Sequence, residues 1–259
     1  MRLRRLAKSG NQRLLVVPMD HPISDGPLAV GKRGLDNLVD TLSRNGADAV
    51  VLHKGSLRQI DPFRFANLSL IVHLSASSSH APDPDQKVLV TSVIEALRLG
   101  ADAVSVHVNV GSSEEAAQLR DLGQVAAACD EWNMPLLAMM YPRGPKIADP
   151  APPELIAHIA SIAVELGADL VKLPFAGSVQ EMGQVVAGCP IPILVAGGPR
   201  PDDDDDVKVL AQKALTAGVA GLSVGRSIFE APDPGRMTKI LSSLVHQYGQ
   251  DKIAEGVMA

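Results

Sequence analysis

Eight short runs rich in Val, Ile and Leu recur along the chain, separated by segments of helical period. They cover Leu14–Asp20, Asp48–Lys54, Leu68–Ser75, Ala103–Asn109, Pro135–Pro142, Asp169–Phe175, Pro192–Gly198 and Gly221–Phe229. Hydrophobicity in each is nearly continuous rather than alternating, the pattern of parallel strands covered on both faces. Helical spacing shows over Val88–Leu99, Pro153–Leu166 and Val207–Ala217, and the second opens on a proline, good chemistry for a helix start. The approach to a strand is itself repeated. Asn45-Gly-Ala-Asp-Ala-Val, Leu99-Gly-Ala-Asp-Ala-Val and Leu166-Gly-Ala-Asp-Leu-Val are near copies, and Ala217-Gly-Val-Ala-Gly-Leu is a looser one. The glycine in each fits a helix C-terminus just before the chain turns into the next strand.

Eight strand–helix units without a Gly/Ser-rich linker predict a single (β/α)8 TIM barrel over residues 1–259. One connection is irregular: Gly55–Asn67 is too short and too interrupted by proline for a full helix. No GxGxxG follows the first run, which disfavours a Rossmann fold. At 46% hydrophobic and 20% charged residues the chain is not disordered. No run approaches the ~18 apolar residues of a spanning helix, and Leu14–Met19, behind the basic Met1–Lys8, is too short for a signal peptide. A net charge of -5 gives nucleic-acid binding no electrostatic support. Cys129 and Cys189 form no CxxC and read as reduced and structural. Together these features describe a soluble, cytoplasmic protein. Gln250–Ala259 reads as a docking helix or a frayed end.

In such a barrel the chemistry belongs at the C-terminal strand ends. There the sequence places Asp20 and His21, His53 and Lys54, His73 and Ser75, and His107 and Asn109. Tyr141 and Arg143, Lys172, Gly197 and Gly198, and Gly225 and Arg226 follow. Lys172 sits among apolar neighbours in Asp-Leu-Val-Lys-Leu-Pro-Phe. Burial there disfavours its charged form, and a neutral amine is what condensation with a carbonyl requires. The alternative is a lysine paired with a carboxylate at the barrel mouth. Lys54, followed by Gly55, is expected to bind an anion or tune charge. Asp20 suits proton transfer opposite a lysine, or else braces a loop. The Tyr141 phenol can exchange a hydrogen bond with a substrate oxygen, and Arg143 can clamp a phosphate or carboxylate or pair with an acid. The glycine turns Val195-Ala-Gly-Gly-Pro and Ser223-Val-Gly-Arg-Ser fall after strands seven and eight, where TIM barrels bind phosphate, and Arg226 adds a fixed charge. Together they favour a phosphorylated ligand. His21, His53, His73 and His107 are expected to hydrogen-bond in the mouth, since no tight His–carboxylate pattern of a metal site is visible. Asp202–Asp206 reads as solvated acids opening a helix, with a metal site as the weaker alternative. Trp132 and the methionines read as core.

These motifs resemble the archaeal-type class I aldolases over about Val16 to His246. The resemblance rests on Pro-Met-Asp-His at 18–21, Leu-His-Lys-Gly at 52–55, His-Leu-Ser at 73–75 and Ser-Val-His-Val-Asn-Val-Gly at 105–111. Ala-Met-Met-Tyr-Pro-Arg-Gly at 138–144, Ala-Asp-Leu-Val-Lys at 168–172, Val-Ala-Gly-Gly-Pro at 195–199 and Val-Gly-Arg at 224–226 complete it. It implies that Lys172 is the Schiff-base lysine and that Asp20 and Tyr141 are the acid/base pair. It also implies that the glycine turns with Arg226 hold phosphate, that no cofactor or metal takes part, and that the enzyme is a homo-oligomer. The family includes fructose-bisphosphate aldolases and two kinds of heptanoate or heptulosonate synthase. The stretches from His53 and His73 most resemble the heptanoate synthases, which join glycerone phosphate to L-aspartate 4-semialdehyde. The related transaldolase, using a deoxyketohexose phosphate, and fructose-bisphosphate aldolase are the next readings. A non-catalytic phosphosugar-binding barrel and a metal-dependent aldolase are the contrasting ones. Pro22 after Asp-His, and Leu173-Pro-Phe-Ala-Gly after the lysine, depart from the family pattern at the mouth.

Overall fold

The computed structural model describes Leu3, Leu6 and residues 13–28, 34–147 and 152–248. Gln250–Ala259 and most of Met1–Lys8 lie outside them. The strands β1 (Leu14–Pro18), β2 (Ala49–Leu52), β3 (Ser69–His73), β4 (Ala103–Val110), β5 (Leu136–Pro142), β6 (Leu170–Leu173), β7 (Ile193–Ala196) and β8 (Gly221–Ser223) close into a parallel barrel. Each pairs with its sequence neighbour, and β8 returns to β1, so Val16 is registered with both Ala49 and Ser223. The helices are α1 (Pro22–Asp25), α2 (Gly34–Arg44), α3 (Val93–Arg98), α4 (Glu115–Trp132), α5 (Pro153–Glu165), α6 (Val179–Gly188), α7 (Asp204–Thr216), α8 (Arg226–Phe229) and α9 (Pro234–Gln247). The expected TIM barrel is the fold observed. No helix among the described residues is long and apolar enough to cross a membrane.

The repeated Gly-Ala-Asp does two jobs. Gly46, Gly100 and Gly167 adopt φ of 90°, 83° and 89°, the left-handed turn that ends a helix without a Cβ penalty. The aspartate then grips the preceding strand with two bonds. Asp48 N–H donates to Leu15 O (3.0 Å), and its Oδ2 accepts from Leu15 N–H (2.7 Å). Asp102 binds Leu70 in the same way, and Asp169 binds Leu136. These clips join β1 to β2, β3 to β4 and β5 to β6, so the sequence repeat has a period of two strands. At β7–β8 the looser copy keeps only the backbone bond, from Ala220 N–H to Ile193 O (2.9 Å).

Strand parity divides the core. Leu15, Val17, Val50 and Leu52 face the helices, whereas Leu14, Val16, Ala49, Val51, Ile71, Ala103, Leu137, Met139, Leu170 and Leu194 fill the barrel interior. Side chains two apart share a face, so continuing those inner rows upward gives Asp20, His53, His73, His107, Tyr141 and Lys172. The apolar layers plug the lower barrel, and these polar groups line its mouth.

Two expected elements are drawn differently. The run Gly221–Phe229 is strand only to Ser223, then turns at Gly225 into α8. In Val88–Leu99, Val88–Leu89 instead pairs antiparallel with Ser75–Ala76, and the helix starts at Val93 behind a Ser92/Glu95 capping box. Gly55–Asn67 forms two 3-10 turns, Ser56–Gln59 and Pro62–Ala66, tied to α2 by Arg64 through Asp36 (2.7 Å) and Asp40 (2.8 Å). The acids at 202–206 serve α7: Asp203 caps it, Asp204 pairs with Arg200 and Asp205 with Lys208. Trp132 is no core residue, being 39% exposed at the end of α4.

Candidate active site

The mouth of the barrel holds a cavity of ≈ 210 Å³ lined by the upper inner row, together with Ser75, Lys87, Arg143 and Arg226. A second lobe adjoins it, sharing Asp85, Tyr141 and Arg143 and extending to Phe175, Gly197 and Gly198. Lys172 stands on the inner wall at 7% exposure. Its Nζ lies 5.8 Å from the centre of the Tyr141 ring. That ring is packed between His107, with ring centres 4.9 Å apart, and the Arg143 guanidinium, 4.8 Å from its centroid. The stack fixes where the phenol points, by cation–π and ring contacts rather than by a hydrogen bond.

Asp20 sits among histidines: Oδ2 lies 3.7 Å from His73 Nε2 and Oδ1 lies 3.8 Å from His21 Nδ1. Burial alone would raise its carboxyl, but His73, His21 and Lys172 outweigh that and hold it well below the usual carboxylate range. Asp20 is therefore an anion facing Lys172. His73 Nδ1 is hydrogen-bonded to Ser105 Oγ (2.8 Å), and its ring meets His53 edge-on at 5.2 Å. His107 Nε2 donates to Asn109 Oδ1 (2.8 Å), because Asn109 Nδ2 is already committed to Asp85 O (2.7 Å). Burial lowers all four mouth histidines, His73 to about 4 and His107 well below its ordinary value.

Each imidazole titrates lower folded than unfolded, so on acidification the unfolded chain takes up protons that the folded one refuses. The stabilisation is fully present above the ordinary imidazole value of 6.5 and is lost as pH falls toward 4. His73 alone is worth about 3 kcal/mol across that window. Urea unfolding at pH 7.5 and 5 is expected to show a clear fall in midpoint. An unchanged midpoint would mean that His73 takes up its proton as readily in the fold as in the unfolded chain.

The other expected residues are placed unevenly. Lys54 does not face the cavity: one position past the inward His53, its Nζ pairs with Glu95 (2.8 Å) and Val90 O (2.8 Å), so it is not the anion ligand expected. Arg226 lines the first lobe, and its buried Nε has no protein partner, as a residue awaiting an anion would. Gly197 and Gly198 line the second lobe instead. Gly197 N–H donates to Ser223 O (3.3 Å), and a Cβ there would come within 2.8 Å of Val224. Gly225 permits a close approach, since a Cβ would lie 2.4 Å from Pro18 O. These two glycines are explained by packing, while Gly198, at φ 68°, has space around it. Sequence reasoning placed His53 and His73 in the mouth with the same hydrogen-bonding role as His21 and His107, and missed Lys87 altogether. Among the described residues no group of three or more His, Cys, Asp or Glu is arranged to hold a metal ion.

Residues 14–231 match the model of the DeoC/LacD family aldolases. The chain belongs to the DeoC/LacD aldolase family. This aldolase is 55% identical over 249 residues to 2-amino-4,5-dihydroxy-6-oxo-7-(phosphonooxy)heptanoate synthase of Streptomyces griseus, covering 96% of this chain and 90% of that one. It is 42% identical over 245 residues to 2-amino-3,7-dideoxy-D-threo-hept-6-ulosonate synthase 1 of Archaeoglobus fulgidus, covering 95% and 90%. Its fold superposes with a TM-score of 0.84 and 27% identity on an archaeal fructose-1,6-bisphosphate aldolase, covering 95% of this chain and 100% of that one. In that structure the catalytic Lys is covalently bound to the carbinolamine intermediate of the substrate. The class I aldolase expected from the motifs stands.

Proposed function

We propose that this aldolase condenses glycerone phosphate with L-aspartate 4-semialdehyde to give 2-amino-4,5-dihydroxy-6-oxo-7-(phosphonooxy)heptanoate, with Lys172 forming the imine. The carrying observation is Lys172 on the buried inner wall, its charge felt by the Asp20 anion and its Nζ 5.8 Å from the centre of the Tyr141 ring. The product's own chemistry identifies the substrates. An aldol bond lies between its two hydroxyl-bearing carbons, and breaking it leaves a four-carbon amino-acid aldehyde and a phosphorylated hydroxyketone. The 55% identity to the synthase of that name supports this pair.

The Lys172 amine adds to the donor ketone to form a carbinolamine, which loses water to give an iminium. That cation draws electrons from the adjacent hydroxymethyl carbon, so a base can remove its proton and leave an enamine. The enamine carbon attacks the acceptor aldehyde, whose oxygen takes up a proton. Water then releases the product and restores Lys172. Asp20, held strongly acidic, is a poor base but a good counter-charge for the iminium. We assign proton transfer at carbon to Tyr141, and donor phosphate to Arg226 with the turn at Gly198. His21 and His107 frame the mouth. The reading extends to a homo-oligomer, on the resemblance alone, and to the cytoplasm, which suits the free Cys129 and Cys189.

The test is product formation from purified enzyme, with glycerone phosphate and a deoxyketohexose phosphate offered separately alongside the semialdehyde. Product from glycerone phosphate supports the aldol. Product only from the ketohexose phosphate would move the enzyme to the transaldolase, as the 42% relative allows.

A further inference from the structure

The proposed acceptor carries a carboxylate and an ammonium that glycerone phosphate lacks, and the first lobe holds charges that the imine chemistry leaves unused. Lys87 enters it from the antiparallel ribbon of Ser75–Ala76 and Val88–Leu89. It is half-buried, with Nζ on Ser77 Oγ and on Pro84 O (3.1 Å). Arg143 lines the same lobe, its guanidinium 4.8 Å over the centre of the Tyr141 ring. Burial, then the Arg143 charge, holds Lys87 below the ordinary lysine value, against the pull of Asp85, Asp25 and Asp20. Two cations converging in one partly buried pocket repel each other, and an anion set between them relieves that repulsion.

The ribbon is not loosely attached. Asp85 O accepts from Asn109 Nδ2 (2.7 Å) and Gln118 Nε2 (3.1 Å), and both side chains are buried. Gln118 Oε1 in turn accepts from the Asn109 backbone N–H (2.8 Å). Lys87 is thereby indexed to β4, the strand beside Tyr141. The carboxylates of Asp25 and Asp85 border the same lobe.

We propose that Lys87 and Arg143 form the receptor for the α-carboxylate of an amino-acid aldehyde acceptor, with Asp25 and Asp85 bordering its ammonium. The ribbon then selects the acceptor, while Lys172 and Arg226 hold the donor from across the mouth. This subsite rests on the aldol reading above.

The experiment is steady-state kinetics on the full-length enzyme and on Lys87→Met and Lys87→Arg. Glycerone phosphate is the donor, and L-aspartate 4-semialdehyde, succinate semialdehyde and butanal are the acceptors. Losing one charge-assisted bond to the carboxylate is expected to raise KM for both semialdehydes roughly 10- to 100-fold in Lys87→Met. The preference over butanal should collapse by the same factor, and Lys87→Arg should recover most of it. Borohydride trapping of glycerone phosphate on Lys172 should half-saturate at the same donor concentration as in the wild type. An unmoved semialdehyde KM overturns the subsite. So does a shift confined to donor half-saturation, which would make Lys87 a phosphate ligand, or a parallel loss on butanal, which would make its role structural. A wild-type enzyme that traps no glycerone phosphate overturns the aldol reading itself, and the subsite with it.

Discussion

Lys172→Met is expected to abolish the borohydride-reducible adduct and to lower turnover by on the order of 10⁴-fold or more, because the imine route closes entirely. The barrel should survive. Lys172 lies at the top of the inner row, directly above Leu170, and methionine replaces its stem with an apolar chain of similar length. Met also removes a cation that helps hold Asp20 ionised. Lys172→Arg separates the two effects, since it restores the charge but offers no amine that condenses with a ketone. Both variants should therefore be dead and untrappable, while only Lys172→Met disturbs the titration of the Asp20 cluster. The readout is peptide mass spectrometry after reduction with glycerone phosphate present. A wild-type level of adduct in either variant, on another lysine, would move the nucleophile away from β6. The candidates would then be Lys87, already in the lobe, or Lys54, which would have to leave Glu95.

The barrel was legible in the sequence because doubly covered parallel strands have a distinctive apolar run, and because Gly-Ala-Asp marks every second strand entry. Much of the mouth was legible for the same reason. A polar residue one step beyond an inward apolar row has nowhere to point except into the opening. That argument carries Asp20, His107, Tyr141 and Lys172. Applied to β2 it also decides between neighbours: Ala49, Val51 and His53 share the inner face, and Lys54 does not. Its charge made Lys54 attractive as an anion ligand, and one residue of register sent it to Glu95 instead. The phosphate turns were harder, because glycine answers two needs alike. Gly197 and Gly225 are required by close approach to Val224 and Pro18, a tertiary fact no local pattern reports. Lys87 was illegible for another reason. It lies on an excursion between β3 and α3, off every strand end, and its place is fixed by Asn109 and Gln118 from another strand and helix. The one available signal was length, since the nineteen residues there exceed an ordinary βα turn.

Tyr141→Phe carries the second large expected effect: kcat lowered roughly 10²- to 10⁴-fold, with the Lys172 adduct still formed. Phenylalanine keeps the ring that packs between His107 and Arg143, so the wall stays in place and only the hydroxyl is lost. If that hydroxyl moves the proton at carbon, imine formation survives and enamine formation does not. The discriminating readout is exchange of the donor's reacting C–H with deuterated solvent, which needs the enamine but no acceptor. Exchange should fall with kcat in Tyr141→Phe. Asp20→Asn should behave differently. It removes the anion that faces Lys172 and sits 3.7 Å from His73, so the iminium loses its counter-charge and trapping itself should weaken. Exchange at the wild-type rate in Tyr141→Phe would take the carbon proton away from the phenol. His53 would then inherit it, since burial leaves its ring neutral near pH 7 and its buried Nε2 has no protein partner. A His53→Gln variant with exchange abolished would place the base there, and Tyr141 would then serve to orient the acceptor aldehyde.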